Sequence, residues 1–171
     1  MQLLVTADST KEKVFKELSA YLTHLGIKVD KYDASRPWGG FFVIDESEAE
    51  KFIKLYFPHL TKGQLSISGK LSPKILVVAP NKRLSWQYHH RRAEIWKLIA
   101  GAAGIITSDT DVEKEITHLN IGDIVQLKQG ERHRLIGLET WGIVAEIWQH
   151  TNKESPSNEE DIVRVQDDFG R

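Results

Sequence analysis

Cysteine is absent from the 171 residues. A chain without thiols forms neither a disulfide framework nor a thiolate metal site, and nothing in it calls for an oxidising compartment. An excess of one charge is missing too, because 23 lysines and arginines face 24 aspartates and glutamates, for a formal net charge of -1. That balance gives no electrostatic reason to expect nucleic acid or an anionic membrane as a partner, while local basic groups leave small anions open. No apolar run approaches a membrane span and the N-terminus has no basic-then-apolar leader pattern, so the chain reads as cytoplasmic. Internal repeats, low-complexity tracts and a glycine-rich nucleotide motif are lacking as well. What is present, 40% hydrophobic and 27% charged residues, suits one ordinary globular domain with a substantial core.

Local patterns place the elements. Ser9, Thr10, Lys11 and Glu12 fit a capping box. Val14, Leu18, Tyr21, Leu22 and Leu25 follow at helical spacing until Gly26 supplies a stop, which predicts a helix over 10–25. Residues 27–32 alternate like a short strand. Arg36, Pro37, Trp38, Gly39 and Gly40 then break it, and from the residues alone this is a structural turn with a buried tryptophan. Ser47 and Glu50 make a second capping-box pattern, continued by Phe52, Ile53, Leu55 and Tyr56 as a helix that Pro58 ends. From residue 64 onward, short apolar runs alternate with turn residues, at 64–68, 74–79, 84–89, 94–99, 104–107, 115–120, 123–127, 133–138 and 142–149. An exposed loop at 151–160 precedes a last strand at 162–165. Strands at this spacing predict a mostly β sandwich or barrel.

The chemistry concentrates in two stretches. Gln87 and His89 are two apart on an alternating segment, so both side chains leave the same face of a strand. Glu94 comes after room for a tight turn and a return strand, which lets three oxygen and nitrogen donors converge as a divalent metal requires. The stretch through Gly122, Lys128 and Gly130 ends on a fourth donor, His133. Two nitrogens, two oxygens and one negative charge leave a bound divalent ion net positive, as a Lewis acid acting on a carbonyl or hydroxyl should be. Zinc is the first choice by ligand type, and ligand softness leaves manganese, nickel and iron open. Taken singly, each His reads rather as a core residue satisfied by hydrogen bonds; the joint spacing reverses that. Strand parity adds Ser85 to the inward face with Gln87 and His89, Trp96 and Leu98 with Glu94, and Glu131 and Leu135 with His133. Trp86, Tyr88, Lys97, Arg132 and Arg134 point the other way.

These stretches resemble the paired motifs of the cupin superfamily. Asn81, Gln87, His89, Glu94 and Gly101 hold the places of its first motif; Gly122, Gly130 and His133 hold those of its second, with Lys128 for the usual Pro and Gly137 for Asn. Gln87 in place of the first His is the variation that type II, cupin-type mannose-6-phosphate isomerases carry. The likeness to that family spans 36–171. Arg36-Pro37-Trp38-Gly39, Leu84-Ser85-Trp86-Gln87, Arg92-Ala93-Glu94-Ile95-Trp96, Asp161-Ile162-Val163-Arg164 and Asp168-Phe169-Gly170-Arg171 each match one of its segments. The chain departs from it where Arg91 replaces the third His of a triplet and Trp148 replaces Gln.

The resemblance implies a double-sheet jelly roll, the cupin barrel. Residues 1–60 would pack as a helical and extended segment on a barrel of 61–171, the whole forming one compact domain and a homodimer. It implies a metal-dependent aldose-ketose isomerase acting on a small sugar phosphate, mannose 6-phosphate to fructose 6-phosphate through an enediolate, with the ion on Gln87, His89, Glu94 and His133. Glu146 and Lys74 are the candidates for the base, and either serves equally as a structural ion-pair member. Arg164 is the candidate for the phosphate, since a guanidinium offers it two hydrogen bonds; without the resemblance it reads as a surface partner of Glu159, Glu160 and Asp161. Ser85 and Lys74 would assist, with Arg36 and Trp38 at the mouth. Bifunctional relatives join this domain to a sugar-nucleotide transferase. The missing third His and the unassigned base keep a second reading open, a non-catalytic cupin that binds a sugar or sugar phosphate. Gln87 argues against a metal oxygenase, whose site commonly exposes a cluster of His ligands.

Overall fold

The computed structural model describes Leu3 and residues 5–171. Two long strands dictate the architecture. β5 (Arg92–Ser108) and β8 (Arg132–His150) run antiparallel to each other from the Arg92–His150 pair to the Ser108–Arg132 pair. Their register slips between Leu98 and Ala100 and again between Gly101 and Ala103, and there both strands bend from one half of the sheet into the other. Gly101 has φ 74°, and a Cβ on it would lie 1.7 Å from the Trp141 carbonyl oxygen, so only glycine turns this corner.

On one side of the bend the strands lie in the order β1 (Val29–Asp33), β2 (Gly39–Ile44), β3 (Lys74–Val78), β8, β5 and β7 (Ile124–Leu127). On the other side the order is β9 (Val163–Gln166), β4 (Trp86–Tyr88), β8, β5 and β6 (Thr117–Leu119). Every pairing is antiparallel, and the two halves face each other as a jelly roll, the cupin barrel. Leu76, Trp96, Leu98 and Val144 of the first half meet Leu84, Ala103, Ile105 and Leu135 of the second in the interior. The alternate residues Ile75, Val77, Ile95, Ile143, Ala145 and Ile147 face outward, where α1 (Lys11–His24) and α2 (Ala49–Tyr56) cover them with Leu18, Leu22, Phe52 and Ile53. Each such side chain taken fully from water contributes about 1.5–3 kcal/mol, which is what holds the helices to the sheet. The described part of the first 60 residues therefore brings α1 and α2 to the outside and also β1 and β2 to the sheet. No helix among the described residues is long and apolar enough to cross a membrane.

Several local expectations need correction. The first helix is capped by Thr10, whose Oγ1 accepts from Lys13 N at 3.2 Å, and not by Ser9, whose Oγ is taken by Thr6. Ser47 does not open the second helix, because Asp45 captures its N–H and starts a short 3-10 turn, Glu46–Glu48, before α2. The strand expected at 64–68 is replaced by a helical turn, α3 (Lys62–Leu65), since Thr61 and Gln64 cap each other reciprocally. The runs at 94–99 and 104–107 belong to one strand, as do 133–138 and 142–149: the glycines between them bend the strands without ending them. Asn81, at a motif position usually held by Gly, has φ 57°, a conformation Asn tolerates better than other side chains.

Candidate metal centre and its cavity

Three elements from both halves of the barrel meet at one end of the interior. β4 presents Gln87 opposite His133 of β8 and delivers His89 just beyond its last residue; β5 presents Glu94 from the facing half. His89 Nε2 lies 3.1 Å from Glu94 Oε1, and His133 Nε2 lies 3.4 Å from Glu94 Oε2. The ligand atoms of these three residues are within 4.8 Å of one another, and all three residues are buried.

The hydrogen bonds fix which nitrogen is available. His89 Nδ1 is 2.6 Å from the Asp161 carbonyl oxygen and His133 Nδ1 is 2.9 Å from that of Glu131. A carbonyl only accepts, so each Nδ1 carries the proton and donates it. Each Nε2 is then a bare lone pair turned toward Glu94, the arrangement that carbonyl-supported metal ligands adopt. Among the described residues His133 Nε2 and Glu94 Oε2 are buried with no hydrogen-bond partner, although two lone pairs that close repel unless a cation or proton stands between them. The donor set therefore fits a divalent ion on physical grounds. Burial alone would favour the neutral acid of Glu94, but the Arg92 guanidinium at 2.7 Å holds its carboxyl well below the usual range, so it is ionised. Burial pushes the His89 imidazole down, toward the neutral ligand form.

A cavity of about 190 Å³ opens onto Glu94 and Gln87. The expected residues Arg36, Trp38, Lys74, Ser85, Glu146 and Arg164 line it, while His89 and His133 lie behind its floor. Ser85 donates to Gln87 Oε1 at 2.5 Å, so its hydroxyl orients the amide. Glu146 accepts from Trp96 Nε1 at 2.9 Å; burial, reinforced by the Glu94 charge, pushes its carboxyl up to about 8. Lys74, directly across from Glu146 in the β3–β8 register, pairs with Glu159 and lies 3.8 Å from the Trp148 ring centroid. Arg36 pairs with Asp33 at 2.8 Å, beside the buried Trp38. Arg164 forms no ion pair with Glu159, Glu160 or Asp161 among the described residues; Glu159 serves Lys74, and the Asp161 carboxylate accepts from the backbone of His90 and Arg91. Burial and the neighbouring Arg171 push the Arg164 guanidinium down from its ordinary value.

Reasoning from the sequence overlooked several participants. Arg92 shares the inward face with Glu94 and binds it at 2.7 Å, a placement the same two-residue parity rule yields. Arg171 lines the cavity from the far C-terminus, held by two bonds of 2.9 Å to Asp167. Asp161 and Ser157 lie in the 151–160 region expected to be an exposed loop and its border, yet both are buried against the ligands' supports. No local pattern announces them, because their partners are about 65–72 residues away in sequence.

Comparison with known proteins fits this architecture. The model of the family described as mannose-6-phosphate isomerase C-terminal matches residues 45–167. This chain belongs to that family. The match to the isomerase family takes in all four expected metal ligands, Glu146 and Arg164, and leaves Arg36, Trp38 and Arg171 outside. Alginate biosynthesis protein AlgA of Pseudomonas aeruginosa is 29% identical over 128 residues, which are 73% of this chain and 24% of AlgA. Mannose-1-phosphate guanylyltransferase ManC of Salmonella typhimurium is 27% identical over 136 residues, 80% of this chain and 22% of ManC. The chain thus spans about a quarter of the length of these curated relatives. Among solved structures, an oxalate decarboxylase variant of B. subtilis superposes with a TM-score of 0.55 at 17% identity, over 79% of this chain and 30% of that one, a likeness of fold.

Proposed function

We propose that this member of the isomerase family is a metal-dependent sugar-phosphate isomerase that interconverts mannose 6-phosphate and fructose 6-phosphate through an enediolate. One observation carries the reading: a single cavity joins an ionised carboxylate, flanked by two imidazoles with bare Nε2 atoms, to a rim of arginines. His89 Nε2, His133 Nε2, Glu94 and the Gln87 amide oxygen are the residues that would hold the ion. A divalent ion there supplies Lewis acidity toward the sugar's oxygens.

The chain's own groups account for the rest. Aldose-ketose isomerisation takes a proton from the carbon beside the carbonyl and returns it to the neighbouring carbon, so one group must accept and release it near neutral pH. Glu146 suits that task, with a carboxyl titrating near 8 on the cavity wall and one oxygen fixed by Trp96. Lys74, held by Glu159 and the Trp148 ring, acts as an orienting cation in this reading. Arg164 anchors the phosphate through paired N–H donors, with Arg36 and Arg171 adding positive charge beside it. Trp38 and Trp148 wall the cavity and limit water.

A coupled assay of zinc- or manganese-loaded protein against a panel of phosphorylated aldoses tests the proposal. Turnover of mannose 6-phosphate that disappears in His89→Ala is the expected result. Thermal stabilisation by the sugar phosphate with no interconversion of any panel member would overturn it in favour of a binding protein.

A further inference from the structure

Among the described residues Arg92 is the one buried cation that touches the metal-ligand set, and the proposed chemistry gives it no task. Its Nε donates to Glu94 Oε1 at 2.7 Å and its Nη2 donates to the bare His89 Nε2 at 3.1 Å. Its Nη1 points the opposite way, donating to Ser157 Oγ at 2.8 Å and to the carbonyl oxygens of Asn158 at 3.1 Å and Asp161 at 3.3 Å. These last three belong to the strap of residues 151–162 that joins β8 to β9, and Glu159 of the same strap lines the cavity against Lys74. The guanidinium centre lies 3.6 Å from the Trp148 ring centroid, while Lys74 Nζ lies 3.8 Å from it. Two groups that near one centroid would overlap on a single face, so the indole is sandwiched between the two cations.

We propose that Arg92 is a positioning residue that couples the ion to the strap: the guanidinium and a divalent cation are alternative partners of His89 Nε2 and Glu94 Oε1, and a bound ion turns Arg92 away and loosens the strap. The inference rests on the metal reading above. An imidazole Nε2 has one in-plane lone pair, which serves either an N–H donor or a metal and not both. A guanidinium within hydrogen-bond reach of two ligands also stands close enough to an ion there for like charges to repel strongly in a buried setting. The guanidinium is a rigid plate, so Nε and Nη2 cannot leave their partners while Nη1 keeps all three of its own. The strap retains its other anchors, the Asp161 carboxylate on the N–H groups of His90 and Arg91 and the Ser157 N–H on His150 Nδ1. The loosening is therefore local to residues 155–160, where Glu159 guards the cavity.

Two measurements on the full chain test this. In hydrogen exchange of the wild-type protein, zinc is expected to speed exchange of amides in 155–160 relative to chelator-treated protein. In calorimetry, Arg92→Gln is expected to bind zinc about tenfold more tightly or better, because it removes both a competing donor and a like charge. The exchange of its strap should be fast with or without zinc. Zinc that binds the wild type and leaves the strap's exchange unchanged or slower overturns the inference while sparing the metal reading. Tighter zinc binding by Arg92→Gln failing to appear has the same force. Wild-type protein that binds no zinc overturns both, and the wild-type exchange result stands whether or not the variant folds.

Discussion

Replacing Glu94 with Gln is the perturbation whose size the structure specifies best. The Arg92–Glu94 pair is 5% and 2% exposed, with its donor and acceptor 2.7 Å apart. Removing one member of such a pair leaves the other charge buried, at a typical cost of about 3–5 kcal/mol. Arg92 keeps Ser157 Oγ and two carbonyl oxygens as acceptors, which places the loss at the low end, about 3 kcal/mol. For a domain of this size each kcal/mol moves the midpoint by about 2–4 °C, so metal-free Glu94→Gln should melt roughly 6–12 °C below the wild type. The pH dependence has a definite sign. A carboxyl depressed in the folded state contributes stability above the ordinary carboxylate range and loses it as pH falls through the folded value, so the two proteins should converge in acid. Zinc at a hundred times its dissociation constant should add about 2.7 kcal/mol to the wild type and little to the variant. Urea unfolding at neutral pH with chelator and with zinc reads all of this. A variant within about 0.5 kcal/mol of the wild type, equally stabilised by zinc, would refute the reasoning, since that is the scale of an unremarkable surface substitution.

Further predictions follow from the cavity and from the buried charges around it. Glu146 has its carboxyl raised from 4.5 to about 8 on folding, so the folded state holds its proton longer and metal-free stability should fall between those pH values. Glu146→Gln should flatten that fall by at most about 1.4 kcal/mol per pH unit, read from urea midpoints across the range, and should abolish isomerisation. Arg164→Ala should weaken binding of a sugar phosphate by about tenfold or more and leave the unphosphorylated sugar unaffected, as measured by calorimetry. Arg134 is wholly buried, donating to the Leu84 carbonyl oxygen at 2.8 Å, to Glu113 at 2.5 Å and to the Gln166 carbonyl oxygen at 3.2 Å. Arg134→Met should cost about 3 kcal/mol or more and free the C-terminal tail to proteolysis before the rest of the barrel.

Much of the barrel was legible because period-two alternation is a local signal. The inward set Ser85, Gln87, Trp96, Leu98 and Leu135 and the outward pair Lys97 and Arg134 follow from parity within single strands. Continuity was harder to read. The corner at Gly101 looks like a break in sequence, and only the hydrogen-bonded ladder to β8 shows the strand passing through it. Helix caps were misjudged by one or two residues because Ser9 and Ser47 are matched by a neighbour, Thr6 in one case and Asp45 in the other, that competes for the same groups. The site divides in the same way. Glu94 and His133 lie on strands and their parity gives their direction, whereas Asp161 and Ser157 reach the ligands from a connecting strap whose path is set by tertiary contacts. Trp148 is the instructive intermediate: parity turns it inward, but its place between Lys74 and Arg92 depends on three separate strands.

Anomalous diffraction from zinc-loaded crystals, recorded at the zinc edge, tests the central claim most directly. The account predicts one strong peak about 2.0–2.2 Å from His89 Nε2, His133 Nε2 and a Glu94 oxygen, with the Gln87 amide oxygen completing the set. A zinc-saturated crystal with no peak among those residues, or with the ion bound through an Nδ1 atom, would contradict it.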